Sequence, residues 1–388
     1  MRATDIHSRR SRKRPIPLCP LYVALTTTAA LIALNLPPLA PFPALPTFLR
    51  ARSSVTTEKY VPLGAFLGSG EEGVRRIPHF ADWLGSAVTV GHTYLPGDSW
   101  EAIEGPAGII EPWARWTNAD PRRMLVLNVP MMARNEQWIP YPIMSLLLLR
   151  GAAGAFDRHY RTLAERLVRA GAQDAVLVLG WEMNGNSYTG QCAPNPGAWR
   201  AYWRRIVETM RAVPDAEFRF DFTPTRGRDA IAWTNCYPGD DVVDIIGSDA
   251  YDQPHGATFD EYVNEPYGLR DHAEFAASRG KPISFPEWGL FRNSDNPEYI
   301  HGMHQWIRAH DVVYQTITDY CPHGVWSCRE NPRSSHAYRD LFGGVPAPPS
   351  PSPPASPGAP ASPAAPRPSG SATPRVTSAS ESSVPVRS

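Results

Sequence analysis

From Val61 to Thr318 the chain repeats one pattern eight times: a short apolar run followed by a longer, mostly amphipathic stretch. The runs are Val61–Leu67, Ala87–Tyr94, Met124–Val129, Ala175–Gly180, Phe218–Phe222, Val242–Gly247, Pro282–Phe285 and Val312–Thr318. Most are apolar almost throughout, as parallel strands are when both faces are covered. Between them, Phe156–Ala170 sets Tyr160, Leu163, Leu167 and Val168 on one helical face, and Ala198–Val213 does the same with Trp199, Trp203, Ile206 and Met210. Tyr267–Ser278 and Pro297–Arg308 follow, the second opened by Asn296 as its cap. Eight β/α units in roughly 285 residues predict an α/β chain closed into a (β/α)8 TIM barrel. An open, doubly wound sheet has the same alternation and is the alternative.

The flanks differ from this middle. Residues 1–52 carry eight Lys/Arg and one acid, and residues 345–388 carry three Arg and one Glu. That leaves 27 bases and 36 acids in residues 53–344, the expected (β/α)8 domain, a net charge of −9. A domain so acidic is poorly suited to nucleic acid, whose affinity rests on neutralising phosphates. The basic cluster Arg9-Arg10-Ser11-Arg12-Lys13-Arg14 precedes an uncharged stretch, residues 15–49, with its apolar core at Leu21–Leu36. A cleaved secretory signal is expected, which would make the protein secreted or extracellular; a retained membrane anchor through residues 15–49 is the rival. Residues 345–388 are rich in Pro, Ser and Ala and hold 13 of the 42 prolines. Such a segment buries too little surface to offset its ordering entropy and reads as a disordered tail.

Cysteine use agrees with export. Cys19 falls in the signal, leaving Cys192, Cys236, Cys321 and Cys328. An even number in an exported chain predicts two disulfides. The short loop from Cys321 to Cys328 is the natural pair, which leaves Cys192 with Cys236. Zinc is the rival, with His323 nearby, but no C-x-x-C spacing occurs.

Two carboxylates occupy the positions where barrel chemistry resides, near the C-terminal ends of strands. The fourth run ends in Trp181-Glu182-Met183-Asn184-Gly185, the seventh in Pro286-Glu287-Trp288-Gly289. Opposed carboxylates suit acetal hydrolysis: one, protonated, donates to the leaving oxygen while the other, ionised, attacks the anomeric carbon. A surface Glu paired with a neighbouring Arg is the plainer account of either residue alone. Both together in aromatic settings favour the catalytic one.

Three segments carry a resemblance. Gly154-Ala-Phe-Asp157-Arg-His-Tyr160, Trp181-Glu-Met-Asn-Gly185, and Tyr237-Pro-Gly-Asp240 leading into Val243-Asp-Ile-Ile-Gly247-Ser-Asp249-Ala-Tyr251 are similar to family 26 glycoside hydrolases, the β-mannanase-related branch of the retaining (β/α)8 clan. The resemblance spans most of residues 60–343. It implies Glu182 as acid/base, Glu287 as nucleophile and Tyr251 as the tyrosine that hydrogen-bonds the nucleophile. It also implies a double-displacement glycosidase acting within a polysaccharide or oligosaccharide, with β-mannan first and mixed-linkage glucan or β-1,3-xylan behind it. The chain departs from the family at Trp181, where His is usual, and at Val178, where Arg is usual. It therefore resembles an outlying branch.

Sugar rings stack their C–H faces on aromatic planes, which makes Trp181, Trp288 and Tyr251 candidate glycan contacts. Asn184 is a candidate partner for a sugar hydroxyl, and His92, near the end of the second run, a candidate wall of the same mouth. Trp100, Trp138, Trp233, Tyr320 and Trp326 suit packing or sugar contact equally, while Trp199, Trp203 and Trp306 read as core. Gly68-Ser-Gly70-Glu-Glu-Gly73 fits a dinucleotide fingerprint, but its acids would oppose a pyrophosphate and Pro78 should interrupt the next helix. His301-x-x-His304 has helical spacing and no completing carboxylate, so a solvated helix face is expected. Neither G-x-S-x-G nor H-E-x-x-H occurs. The expected unit is a monomer without cofactor or metal. A non-catalytic glycan-binding barrel and a transglycosylase that remodels a cell-surface glycan are the rival functions.

Overall fold

The computed structural model describes residues 59–346, so the basic head, the stretch 15–49, Cys19 and almost all of the segment 345–388 lie outside the described residues. Nine strands form one sheet: β1 (Leu63–Phe66), β2 (Val90–Tyr94), β3 (Met124–Val129), β4 (Val176–Leu179), β5 (Arg219–Phe222), β6 (Ile245–Gly247), β7 (Ala250–Tyr251), β8 (Ile283–Gly289) and β9 (Val312–Thr318). Every pairing is parallel, β1 pairs with β9, and β6 pairs with β8, which closes the sheet. The two-residue β7 continues the line of β6 and also pairs with β8, leaving eight staves. The fold is a (β/α)8 barrel, and closure excludes the open sheet.

Among the described residues ten α-helices surround it: α1 (Gly70–Leu84), α2 (Trp100–Ile103), α3 (Ala107–Asn118), α4 (Tyr141–Ala152), α5 (Asp157–Ala170), α6 (Pro196–Arg211), α7 (Phe259–Asn264), α8 (Leu269–Ala277), α9 (Pro297–Ala309) and α10 (Pro332–Phe342). Asn296 caps α9 as expected, its side chain accepting from the Tyr299 amide, and Asn195 caps α6 through Ala198. Pro78 does not interrupt α1, contrary to expectation. It lies on the exposed face, where water can reach the carbonyl that lacks an amide partner. No described helix is long and apolar enough to cross a membrane.

Strand side chains alternate between two cores. Val90, Val126, Val176, Val178, Ile245 and Tyr314 fill the barrel, with Trp181 among them. Leu125, Leu127, Leu177, Leu179, Phe220, Phe222 and Ile317 face outward into the layer that holds Trp113, Leu163, Trp199 and Trp203. Ile283 and Phe285 of β8 also face outward, while Ser284 reaches inward to Asp221.

Strict alternation would point Glu287 outward and Trp288 inward. A bulge reverses them: Phe285 and Trp288 of β8 stand opposite Gln315 and Ile317 of β9, three steps against two. The extra residue turns Glu287 into the barrel, and Pro286, which has no amide to offer a ladder, sits within the bulge. The sequence-based expectation that Trp288 lines the mouth is therefore corrected. Its indole donates to Gln315 Oε1 at 2.7 Å and packs on Tyr338 and Phe342 of α10.

Both disulfides form as paired from the sequence: Cys192–Cys236 and Cys321–Cys328. Cys321, Cys328 and Glu330 lie close enough to share an ion, but the two sulfurs are bonded to each other and offer no thiolate. Cys192–Cys236 ties the segment after β4 to the segment after β5, across a sequence separation of 44. Loop-closure entropy gives about 4 kcal/mol for a cross-link of that span and about 2 kcal/mol for the short Cys321–Cys328 loop. Chemical denaturation of C192S/C236S should therefore show about twice the loss of C321S/C328S.

Candidate active site

The end of β4 is shaped by two left-handed residues, Gly180 at φ +60° and Glu182 at φ +52°. That conformation is uncommon for a residue with a Cβ and is held only where the surroundings over-determine it. Here the Glu182 amide donates to the Thr223 carbonyl beyond β5 at 2.8 Å, and the Glu182 carbonyl accepts from the Gly185 amide. The backbone strain thus falls at the residue that carries the carboxylate.

Glu287 is buried and clamped from two sides. Asn128 Nδ2 donates to its Oε1 at 3.1 Å, and the Tyr251 hydroxyl donates to its Oε2 at 2.8 Å. Asn128 is aimed by the layer beneath: His92 Nε2 lies 2.9 Å from Asn128 Oδ1, and His92 Nδ1 lies 3.0 Å from Thr316 Oγ1. Burial lowers the His92 pKa to about 4, so the ring is neutral and donates from Nε2. Below this, Asp221 accepts from Thr223, Ser284 and Tyr314, which satisfies a carboxylate with no exposure. Gly247 is required there, because a Cβ would meet Thr223 Oγ1 at 2.4 Å and Asp221 Oδ1 at 2.6 Å.

Both glutamates are raised by burial, but they differ in how much opposes the rise. Burial pushes Glu182 up to about 8, the charge of Glu287 and then Asp229 add to the rise, and only Thr225 opposes it. Burial also raises Glu287, but hydrogen bonds from Tyr94, Tyr251 and Asn128 all favour its ionised form. A third carboxylate, Asp249, is fully buried at the break between β6 and β7, where the backbone of Glu287 alone supports its charge. Burial first, then Glu287 and Glu182, push it well above the usual carboxylate range. Of the two glutamates, Glu287 is the one equipped to carry charge and Glu182 the one equipped to carry a proton.

Phe66, Tyr94, Trp181, Tyr188 and Tyr320 wall a cleft of about 400 Å3 with Glu287 at its base. Of the sequence candidates, Trp181 and Tyr320 line this cleft, and Tyr251 reaches Glu287 from beside it. Three others lie elsewhere. Trp288 faces the helices, as described. His92 is wholly buried beneath Asn128 rather than at the mouth. Asn184 is also wholly buried, and both ends of its amide are taken by the Thr225 backbone, at 2.9 and 3.0 Å, so it has nothing to offer a sugar hydroxyl. Trp100 stacks on His159 and Phe156, Trp233 donates to the Tyr267 carbonyl, and Trp326 packs on Phe80. Trp199 and Trp203 are buried core, while Trp306 is partly buried against it. Asn128, Tyr94 and Asp249 were not anticipated. The visible signal for Asn128 was an amide inside the apolar run Met124–Val129.

Residues 175–284 match the model of glycosyl hydrolase family 26. The matched segment contains Glu182, Asp249 and Tyr251 and ends three residues before Glu287. The barrel is family 26-like. Among solved structures it is similar to Bacillus subtilis mannanase man26, at 16% identity over 74% of this chain and 86% of that one, with a TM-score of 0.54. It is similar also to a double mutant of the Cellulomonas fimi endo-β-1,4-mannanase, at 19% identity over 73% and 71%, with a TM-score of 0.57. A third is the catalytic domain of the Bacillus sp. JAMB-750 GH26 endo-β-1,4-mannanase, at 14% identity over 73% and 85%, with a TM-score of 0.54. No curated protein sequence matches the chain significantly. Together the family match and the barrel support a glycoside hydrolase. In this family 26-like barrel Val178 and Trp181 belong to one interior apolar cluster.

The raised pKa of Glu182 has a consequence for stability. Between its ordinary value of 4.5 and about 8 the folded state holds a proton that the unfolded chain releases, so stability falls as pH rises through that window. Glu182→Gln removes this loss. Its melting temperature should match wild type near pH 4 and exceed it increasingly up to pH 8, as thermal melts across that range would show.

Proposed function

We propose that the protein is an exported, retaining, endo-acting β-glycoside hydrolase, with β-mannan as its first substrate. The observation that carries this reading is the unequal pair: Glu182 pushed up to about 8 beside a Glu287 whose charge is supported by Asn128, Tyr251 and Tyr94. Glu287 attacks the anomeric carbon while Glu182 protonates the departing oxygen. Glu182, now ionised, then takes a proton from the water that releases the glycosyl-enzyme. Tyr251 and Asn128 stabilise the Glu287 carboxylate in the free enzyme and again as it leaves when the ester breaks. The aromatic walls Trp181, Tyr188 and Tyr320 offer faces for sugar rings. The mannanases among the structural neighbours support mannan, and two disulfides together with the basic, then apolar, first fifty residues support export.

One observation favours a second reading. The apolar pair Val178 and Trp181, where the family usually carries Arg and His, suits a barrel that binds glycan without cleaving it. That reading predicts affinity without product.

Product release by the oxidised protein from β-mannan, mixed-linkage β-glucan, β-1,3-xylan and cellulose separates the two. Release from one polymer is expected, and Glu287→Ala should lower it by more than about 10^4-fold. Glu182→Ala should lose on the order of 10^2–10^4-fold on the polymer, yet keep the first step on aryl glycosides with good leaving groups. Wild-type kcat/KM should fall as pH rises past about 8, where Glu182 loses its proton. A folded protein that binds one of the polymers and releases nothing would favour the binding barrel.

A further inference from the structure

The cleft does not end at Glu287. Gly97, Asp98, Asn135 and Glu136 line both the cleft above Glu287 and an adjoining hollow of about 260 Å3, which Arg134 and Gln137 complete. Trp138 follows directly and is 73% exposed, the most exposed large apolar side chain among the described residues. Packing, which suited Trp138 on sequence grounds, does not account for it.

The loop that carries it is held rather than loose. Thr189 Oγ1 lies 2.5 and 2.7 Å from the carbonyls of Arg134 and Gln137, sharing its one proton between them, and the Thr189 amide donates to the Asn135 carbonyl at 2.6 Å. The Asn135 amide donates to the Gly97 carbonyl at 3.0 Å, an approach that needs glycine because a Cβ there would meet Asn135 Cβ at 2.3 Å. Meanwhile Asp98, Arg134, Glu136 and Gln137 spend no side-chain group on a hydrogen bond or ion pair with the described residues. A fixed backbone therefore presents free acceptors and donors, and the residue next in sequence carries an exposed indole, the pairing that a hydroxylated ring with apolar C–H faces would use.

We propose that the groove from Asp98 and Glu136 out to Trp138 is a distal subsite for an uncharged glycan chain, with one sugar ring stacked on Trp138. The proposal rests on the glycosidase reading for what enters the cleft. Asp98 and Glu136 accept from sugar hydroxyls, and Arg134 and Gln137 donate. Two carboxylates against one guanidinium disfavour a polyuronate. Because the backbone is already fixed, little ordering entropy opposes binding.

Two measurements on the full oxidised chain test it. In affinity gels containing each of the four neutral polysaccharides, or alginate, Glu287→Ala should be retarded by one neutral polymer and not by alginate. Adding Trp138→Ala should weaken that retardation about tenfold, with the melting temperature and elution volume unchanged. In turnover, the ratio of kcat/KM on that polymer to kcat/KM on a short aryl glycoside should fall about tenfold in Trp138→Ala. Retardation that ignores Trp138, an equal loss on polymer and aryl glycoside, or Trp138-dependent binding of alginate would each overturn the subsite. A Trp138→Ala variant that changes only the elution volume would assign the indole to a protein contact instead, and also overturn it. Trp138-dependent binding without any turnover would uphold the subsite and remove the glycosidase reading.

Discussion

One residue too many in β8 decides which side chain faces the barrel axis. Without the bulge at Pro286, the period-two rule would aim the Glu287 carboxylate at the helices and bring an indole into the barrel. With it, Glu287 meets Asn128 from β3 and Tyr251 from β7, and Trp288 closes the outer core against α10. Neither arrangement is available alone, because both side chains are carried by the same irregularity. The clamp beneath then follows: Asn128 can donate to Glu287 because His92 holds its other end, and His92 is neutral because it is buried.

The chemistry proposed for this mouth depends on an imbalance between two acids in one enclosure. Burial alone would raise both. Three donors act on Glu287 while Glu182 has Thr225 alone, so the carboxylate whose charge is better supported is the one with partners. The departures at Val178 and Trp181 fit this arrangement. Both are apolar and share the interior cluster, so neither position places a cation beside the acid that follows Trp181.

Much of the fold was legible because its signals are local. Apolar runs marked all eight staves, and an Asn followed by Pro marked the start of α9. Both glutamates stood out as carboxylates at strand ends. What escaped depended on partners distant in the chain. The direction of Trp288 follows from its register with β9, which no property of Pro286-Glu287-Trp288 reveals. Asn184 reads as a polar group free to meet a sugar until the Thr225 backbone arrives on both sides of its amide. His92 and Asn128 sit in neighbouring strands, and their joint action on Glu287, carried by a third, exists only in the closed barrel. Pro78 misled for a different reason: a helix tolerates proline where water can satisfy the carbonyl it leaves behind.

In the double displacement proposed for this barrel, Glu287 forms a covalent bond to the sugar. Intact-mass and peptide-mapping analysis of Glu182→Ala, mixed with an activated aryl β-mannoside or its equivalent for the polymer cleaved, tests it directly. The glycosyl-enzyme should accumulate, because its formation needs little acid assistance and its hydrolysis lacks a base. One added sugar on the peptide containing Glu287 is the predicted result. Steady release of the aryl group with no adduct at Glu287, or with the sugar attached elsewhere, would contradict the account.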